Sequence, residues 1–320
     1  MKYVVALLVL AMMMVGGTAV YLVNCPNELN ESTAIVLNKG ESVQNLSEKL
    51  QKAGVINSSL LFRVVVRWLK ADKKLRAGEY MLTPHLNMFE VTDKFLRGDV
   101  YYRRITLPEG LTSVQIKELL ENEPNLSGEI TLDIPEGSML PETYTFSKGE
   151  SRDSVVLQAQ RALTDLLKDV WKKNQNLMLK SEKDLLILAS IIEKETGEPD
   201  ERQDVSAVFT NRLRNGMMLQ TDPTVIYAIT EGKQDLGRAL MKKDLAVDSP
   251  YNTYRYYGLP PAPICHAGKD AIIAAANPSD VDYLYFVASG TGGHRFARTL
   301  AEHNQNVAQY RQILKNTNRQ

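Results

Sequence analysis

Two glutamates, Glu193 and Glu195, close an apolar run from Leu185 to Ile192. A carboxyl group at the edge of an apolar surface suits general acid chemistry near neutral pH, because desolvation favours its neutral, proton-donating form. On a helix at about 100° per residue, Glu195 falls roughly 50° from the centre of the apolar side and Glu193 roughly 110° from it. Lys194 faces opposite. Glu195 is therefore the carboxylate expected against an apolar wall. The alternative is structural: both glutamates finish a surface stretch or pair with Arg202.

Three further clusters could contact a ligand. Gln220, Thr221 and Asp222 stand together before Pro223, in the order expected for the first turn of a helix, where Asp222 would serve equally well as an N-cap. Tyr251-Asn252-Thr253-Tyr254, followed by Gly258-Leu259-Pro260-Pro261, combines aromatic faces with amide and hydroxyl groups, a composition that suits a sugar groove and also suits core packing. Gly290 to His294, GTGGH, is glycine-rich like a phosphate cradle but reads better as a hairpin turn. The histidines His85, His266, His294 and His303 show no metal-ligand spacing, and neither a nucleophile elbow nor a Walker loop occurs. The reading calls for no metal and no cofactor.

The elements that must position these groups follow from periodicity and caps. A long amphipathic helix is predicted from about Asp153 to Lys173, a second begins near Ser181 and carries Glu193 and Glu195, and a third spans about Asp204 to Arg214 before Asn215-Gly216. SPYNTYRYYGLPPAP is irregular, and Tyr283 to Arg298 reads as a β-hairpin. Thr299 and Glu302 form a capping box for a last helix to about Leu314. Upstream, Ile35-Val36-Leu37 and Ile105-Thr106-Leu107 each precede a turn glycine and a Ser/Thr-capped helix, with Glu79 to Leu82 and the Phe89–Leu96 helix between them. This makes residues 34–125 a region of small β/α modules.

Hydrophobic residues make up 44% and charged residues 24% of the 320, which excludes wholesale disorder. A formal net charge of zero argues against a nucleic-acid partner, which demands a basic excess. The amino terminus is unlike the rest. Tyr3 to Val23 carries no charge, and as a helix it would be roughly 31 Å long, the thickness of a bilayer core. Lys2 before it and Glu28 and Glu31 after it put the bulk of the chain on the extracytoplasmic side. A retained anchor is preferred to a cleaved signal peptide, whose apolar core is shorter. Cys25 and Cys265 lie too far apart along the chain to read as a structural bridge, and so few thiols suit a bacterial envelope.

LASIIEKETG, VFTNRL, GMMLQTDPTVIYA, SPYNTYRYYGLPPAPI, AAANPSDVDYLYFVASGTGGHRF and EHN, in that order, closely resemble the endolytic murein transglycosylases of the MltG/YceG type. The resemblance covers essentially the whole chain. It implies an α+β protein: an anchor (1–25) and linker (26–33), a LysM-like β/α region (34–125), a connecting segment (126–152) and a catalytic domain (153–320) built around a central catalytic helix. It further implies non-hydrolytic cleavage of the β-1,4 bond between N-acetylmuramic acid and N-acetylglucosamine inside glycan strands, leaving 1,6-anhydro ends. The family's essential glutamate corresponds to Glu195. From their polarity and place in these motifs, Gln220, Asp222, Asn252 and Thr253 are expected to position the glycan or stabilise charge developing at the anomeric centre; the resemblance implies peptidoglycan strands as substrate and peptidoglycan synthesis enzymes as partners at the inner membrane.

Overall fold

The structure, a computed structural model, describes residues 2–317; the side chains at positions 2, 5, 6, 8, 316 and 317 lie outside that description. It is a mixed α+β chain, mostly helical, whose strands form small two-stranded sheets. The α+β expectation holds in this form. Two compact units are present: residues 1–103 with 145–150, and residues 104–144 with 151–320.

The first unit begins with helix α1 (Lys2–Asn24). Its last turn packs inward, with Ala19, Leu22 and Val23 partly buried. Val23 joins the unit's apolar core. Asn27 then fixes the chain: its N–H donates to the Leu86 carbonyl (2.8 Å) and its Oδ1 accepts from the His85 N–H (2.9 Å). Strand β1 (Thr33–Leu37) pairs antiparallel with β2 (Gly78–Leu82), and α2 (Val43–Lys52) and α3 (Ser59–Trp68) lie between them in sequence. Ser42 and Ser58 cap these two helices through their side-chain oxygens. Helix α4 (Met88–Arg97) starts with an Asn87/Glu90 capping box and ends at the left-handed Gly98. The core joins Leu46, Leu50, Phe62, Val66, Tyr80 and Phe95, all fully buried. Among the described residues no helix is long and apolar enough to cross a membrane. The expected span, residues 3–23, lies inside α1 and depends in part on positions 5, 6 and 8, whose side chains are outside the description.

Strands β3 (Arg103–Thr106) and β4 (Thr143–Phe146) pair where the chain passes between units. The second unit continues with α5 (Ser113–Glu121), α6 (Arg152–Trp171), α7 (Glu182–Glu195), α8 (Arg202–Arg214), α9 (Asp222–Thr230) and α10 (Lys269–Ala276). The hairpin β5 (Tyr285–Ala288)/β6 (His294–Ala297) and helix α11 (Leu300–Thr317) close it. Ser181 caps α7 as expected, its Oγ accepting from the Asp184 N–H at 3.1 Å.

The course of α7 differs from the one-sided helix drawn from the sequence. Leu185 and every residue from Ile187 to Ile192 are buried, so the helix is enclosed around most of its circumference. Helices α8, α9 and α10 pack against it. The alanines of α10 (Ala271, Ala274, Ala275, Ala276) are small enough to let α10 approach closely. A helix buried on nearly all sides can expose a functional group chiefly at its end, and Glu195 is its last residue.

Candidate active site

Because α7 stops at Glu195 and Thr196 turns extended (φ −138°, ψ 130°), the Glu195 carboxylate sits at the negative end of a buried helix. A cavity of about 210 Å³ opens there, lined by Glu195, Phe209, Arg212, Leu219, Gln220, Asp222, Tyr254 and Phe286. The residue keeps partial access to solvent through this cavity, while its carboxyl group is packed deep among protein atoms. Burial pushes its pKa up from 4.5 to about 7, the Asp222 charge adds to the rise, and the Thr221 hydrogen bond, His294 and Arg212 oppose it.

Glu193 has a different duty. Its Oε2 accepts the Gly268 N–H at 2.9 Å, tying α7 to the start of α10. Lys194 is exposed and donates to the Gly110 carbonyl at 3.2 Å. Of the two glutamates, only Glu195 lines the cavity.

The Thr221 hydroxyl donates a short hydrogen bond to Glu195 Oε1. A chain of threonines orients Thr221 in turn. Its N–H donates to Thr253 Oγ1 (3.0 Å), Thr224 Oγ1 donates to its carbonyl (2.7 Å), and Thr224 and Thr253 hydroxyls lie 2.9 Å apart. The Gln220 N–H donates to the Thr253 carbonyl (3.1 Å) and holds Gln220 in the left-handed region (φ 52°), a costly conformation for a non-glycine residue, at the cavity's edge. Asp222 is exposed, and its Oδ1 accepts from the Tyr254 hydroxyl at 2.6 Å.

Asn252 and Thr253 do not reach the cavity. They are 0% and 1% exposed, and their side chains bond to protein. Asn252 Nδ2 donates to the Leu245 (3.0 Å) and Val247 (2.8 Å) carbonyls, and its Oδ1 accepts the Tyr254 N–H (3.0 Å). Both side chains build the wall that positions Thr221 and Tyr254. Sequence polarity cannot distinguish an amide that meets a ligand from one that satisfies buried backbone.

The sequence placed Thr221, Tyr254 and His294 in candidate clusters without singling them out, and it gave Arg212 no site role. Arg212 is buried on α8, with Nε donating to the Leu284 carbonyl and Nη1 to the Leu219 carbonyl, each at 2.7 Å. Its guanidinium stacks 5.3 Å from the Tyr285 ring centre. Burial pushes its pKa below the usual guanidinium range. His294 is held by Glu201, which accepts from its backbone N–H and lies 2.7 Å from its Nδ1. Its place inside the VFTNRL motif was the available signal for Arg212. Thr221 lay inside the polar trio already noted. Among the described residues no group of His, Cys, Asp and Glu has the arrangement of a metal site.

Residues 35–309 match the YceG-like family. The chain is 31% identical to an endolytic murein transglycosylase of Bacillus subtilis (strain 168), over 93% of this chain and 91% of that protein. The chain belongs to the YceG-like family. This YceG-like chain is also 27% identical to an endolytic murein transglycosylase of Streptococcus pneumoniae (serotype 2, strain D39), over 85% of its own length and 57% of that protein's. A crystal structure of a YceG-like protein from Listeria monocytogenes superimposes with a TM-score of 0.51 at 31% identity, covering 87% of this chain and 99% of that one. The resemblance carried by the motifs is thus borne out at the level of family.

Proposed function

We propose that this YceG-like chain is an endolytic lytic transglycosylase of peptidoglycan, with Glu195 as its single acid–base. One observation carries the reading: a carboxyl with a pKa of about 7 lies at a cavity between α7, α8 and the Leu219–Asp222 segment. Near neutral pH such a group is present in both protonation states, as a residue that must first give and then take a proton requires. Family membership supports the substrate.

Protonated Glu195 gives its proton to the bridging oxygen as the bond from the N-acetylmuramic acid C1 to that oxygen breaks. The C6 hydroxyl of the same sugar then bonds to C1, and its proton passes to the Glu195 carboxylate, restoring the acid. No water enters, and the product ends in a 1,6-anhydro ring. Thr221 engages Oε1, which leaves Oε2 for the substrate. Arg212 contributes positive charge near the carboxylate formed after the first proton transfer, and Gln220 and Asp222 border the space for the sugar. Asp222 is also the candidate second carboxylate of a hydrolytic muramidase. Mass spectrometry separates the two routes: incubated with purified glycan strands, the protein gives anhydro ends, one water lighter than the reducing ends of hydrolysis. Reducing ends alone would sink the reading.

The anchor belongs to the same proposal. Helix α1 holds the chain at the inner membrane with the rest of the chain on the extracytoplasmic side, close to nascent strands and to the synthesis enzymes proposed as partners. Its long, uncharged stretch, whose described side chains are exposed as far as Thr18, supports this placement. The LysM-like reading draws support from residues 33–82, where β1 and β2 pair around α2 and α3. A cleft of about 200 Å³ between residues 37–46 and 72–77 offers a place for a sugar chain.

A further inference from the structure

Helix α3 is apolar on the side where a surface helix should be polar. Phe62, Val65 and Val66 fill the core, yet Leu60, Val64 and Trp68, on the opposite face at successive turns, are 62%, 57% and 72% exposed. Arg63 and Arg67 border this face, and together with Leu60, Val64 and Trp68 they line a shallow depression. The stretch from Arg63 to Arg76 contains Arg63, Arg67, Lys70, Lys73, Lys74 and Arg76 against one acidic residue, Asp72, in a chain whose net charge is zero. Arg63 Nε is buried without a hydrogen-bond partner among the described residues. Basic groups around an aromatic and aliphatic face are the composition of a helix that lies in a membrane interface.

The position of α3 selects the occupant. It packs against α1, within the same compact unit. In α1 the residues from Met12 to Val15 are exposed, whereas Ala19, Leu22 and Val23 at the far end are partly buried. Among the described residues of α1, only those at the end where the chain leaves the proposed membrane span therefore meet the folded unit. Asn27 fixes that exit to the segment before α4. A helix touching α1 there stands at headgroup depth.

We infer that the outer face of α3 is a second membrane contact, with Leu60, Val64 and Trp68 inserted among the acyl-chain ends and Arg63 and Arg67 on the headgroups of anionic phospholipids. This rests on the proposed anchor, and it has a consequence for function. A single span leaves the folded unit free to swing, and a second contact fixes its height above the bilayer.

The chain has two tryptophans, Trp68 and Trp171, so Trp171→Phe leaves Trp68 as the sole reporter. The full chain is reconstituted into vesicles of phosphatidylcholine with about one-third phosphatidylglycerol, with or without bromine on the acyl chains, and incorporation is checked by flotation. Trp68 emission is expected to lose about half its intensity in the brominated vesicles. The quenching should weaken in pure phosphatidylcholine and fall further in Arg63→Glu/Arg67→Glu. Should Trp171→Phe misfold, the same signal is obtained as the difference between wild type and Trp68→Phe. Unquenched Trp68 in a chain that floats overturns the inference and leaves the anchor standing. Blue-shifted, unquenched emission assigns the face to a protein partner or a second copy and also overturns it. Equal quenching with and without phosphatidylglycerol overturns the headgroup contact. Failure to float overturns the anchor and the inference with it.

Discussion

Two neighbours of Glu195 pull its proton affinity in opposite directions, and each can be removed without touching the carboxylate itself. Asp222 raises the Glu195 pKa through its charge, and Thr221 lowers it through a hydrogen bond to the ionised form. In the proposed mechanism the free enzyme needs the protonated acid, so kcat/KM should decline above about pH 7. In Asp222→Asn the raising charge is gone and this basic limb moves to lower pH. In Thr221→Val the carboxylate loses a donor and the limb moves to higher pH. pH–rate profiles of the two variants on isolated glycan strands check the pair; shifts of the same sign would assign the limb to another group. Stability provides a second reading of the same residue. The folded pKa of about 7 exceeds the ordinary 4.5, so between those values the native state holds a proton that the unfolded chain releases, and stability falls as pH rises through that window. At 1.36 kcal/mol per unit the cost reaches about 3 kcal/mol at most. Glu195→Gln should therefore unfold at higher urea than wild type at pH 8 and at about the same urea at pH 4. A variant weakened at pH 8 would contradict the desolvated carboxyl.

At the scale of elements, the site depends on loops sewn together by buried polar groups. His266 is fully buried. Its Nε2 lies 3.0 Å from Ser113 Oγ at the start of α5, and its Nδ1 accepts the Met139 N–H at 3.1 Å. Desolvation lowers its pKa from 6.5 to about 4. The folded pKa lies below the unfolded one, so stability is full above pH 6.5 and is lost as pH falls toward 4. In His266→Gln that acid-side decline should flatten, as measured by denaturation midpoints at pH 4.5 and 7. Gly137, in the loop that carries Met139, has φ +73°, and an added Cβ would lie 2.6 Å from the Pro263 ring. Gly137→Ala should cost about 2 kcal/mol from strain and overlap together, visible as a lower melting temperature. Four helix starts marked by a capping side chain were legible in the sequence, at Ser42, Thr112, Ser181 and Thr299. Helix α3 went unread because Val64-Val65-Val66 carries strand propensity and tertiary packing overrides it. Helix α10 went unread because its starting residue Gly268 offers no side-chain cap and its alanines show little contrast between faces.

At the scale of the whole molecule, ordered motifs in the last 130 or so residues pointed to the family, and all of them but EHN contribute residues to one cavity although they come from separate elements. The contents of that cavity were only partly legible. Glu195, Gln220 and Asp222 line it, but Arg212 and Tyr254 enter from α8 and an irregular loop whose direction periodicity cannot supply. The compact units change over at residues 103 and 104, inside the stretch that the repeated strand–glycine–helix pattern presents as one region. Local pattern reports elements; which of them share a core depends on contacts distant in sequence. The most direct test of the central claim is mass spectrometry of the products from purified glycan strands, for wild type and for Glu195→Gln matched in folding by circular dichroism. Wild type should release internal fragments ending in 1,6-anhydro-N-acetylmuramic acid, and Glu195→Gln should release none. Anhydro products from folded Glu195→Gln, or reducing ends alone from wild type, would contradict the account.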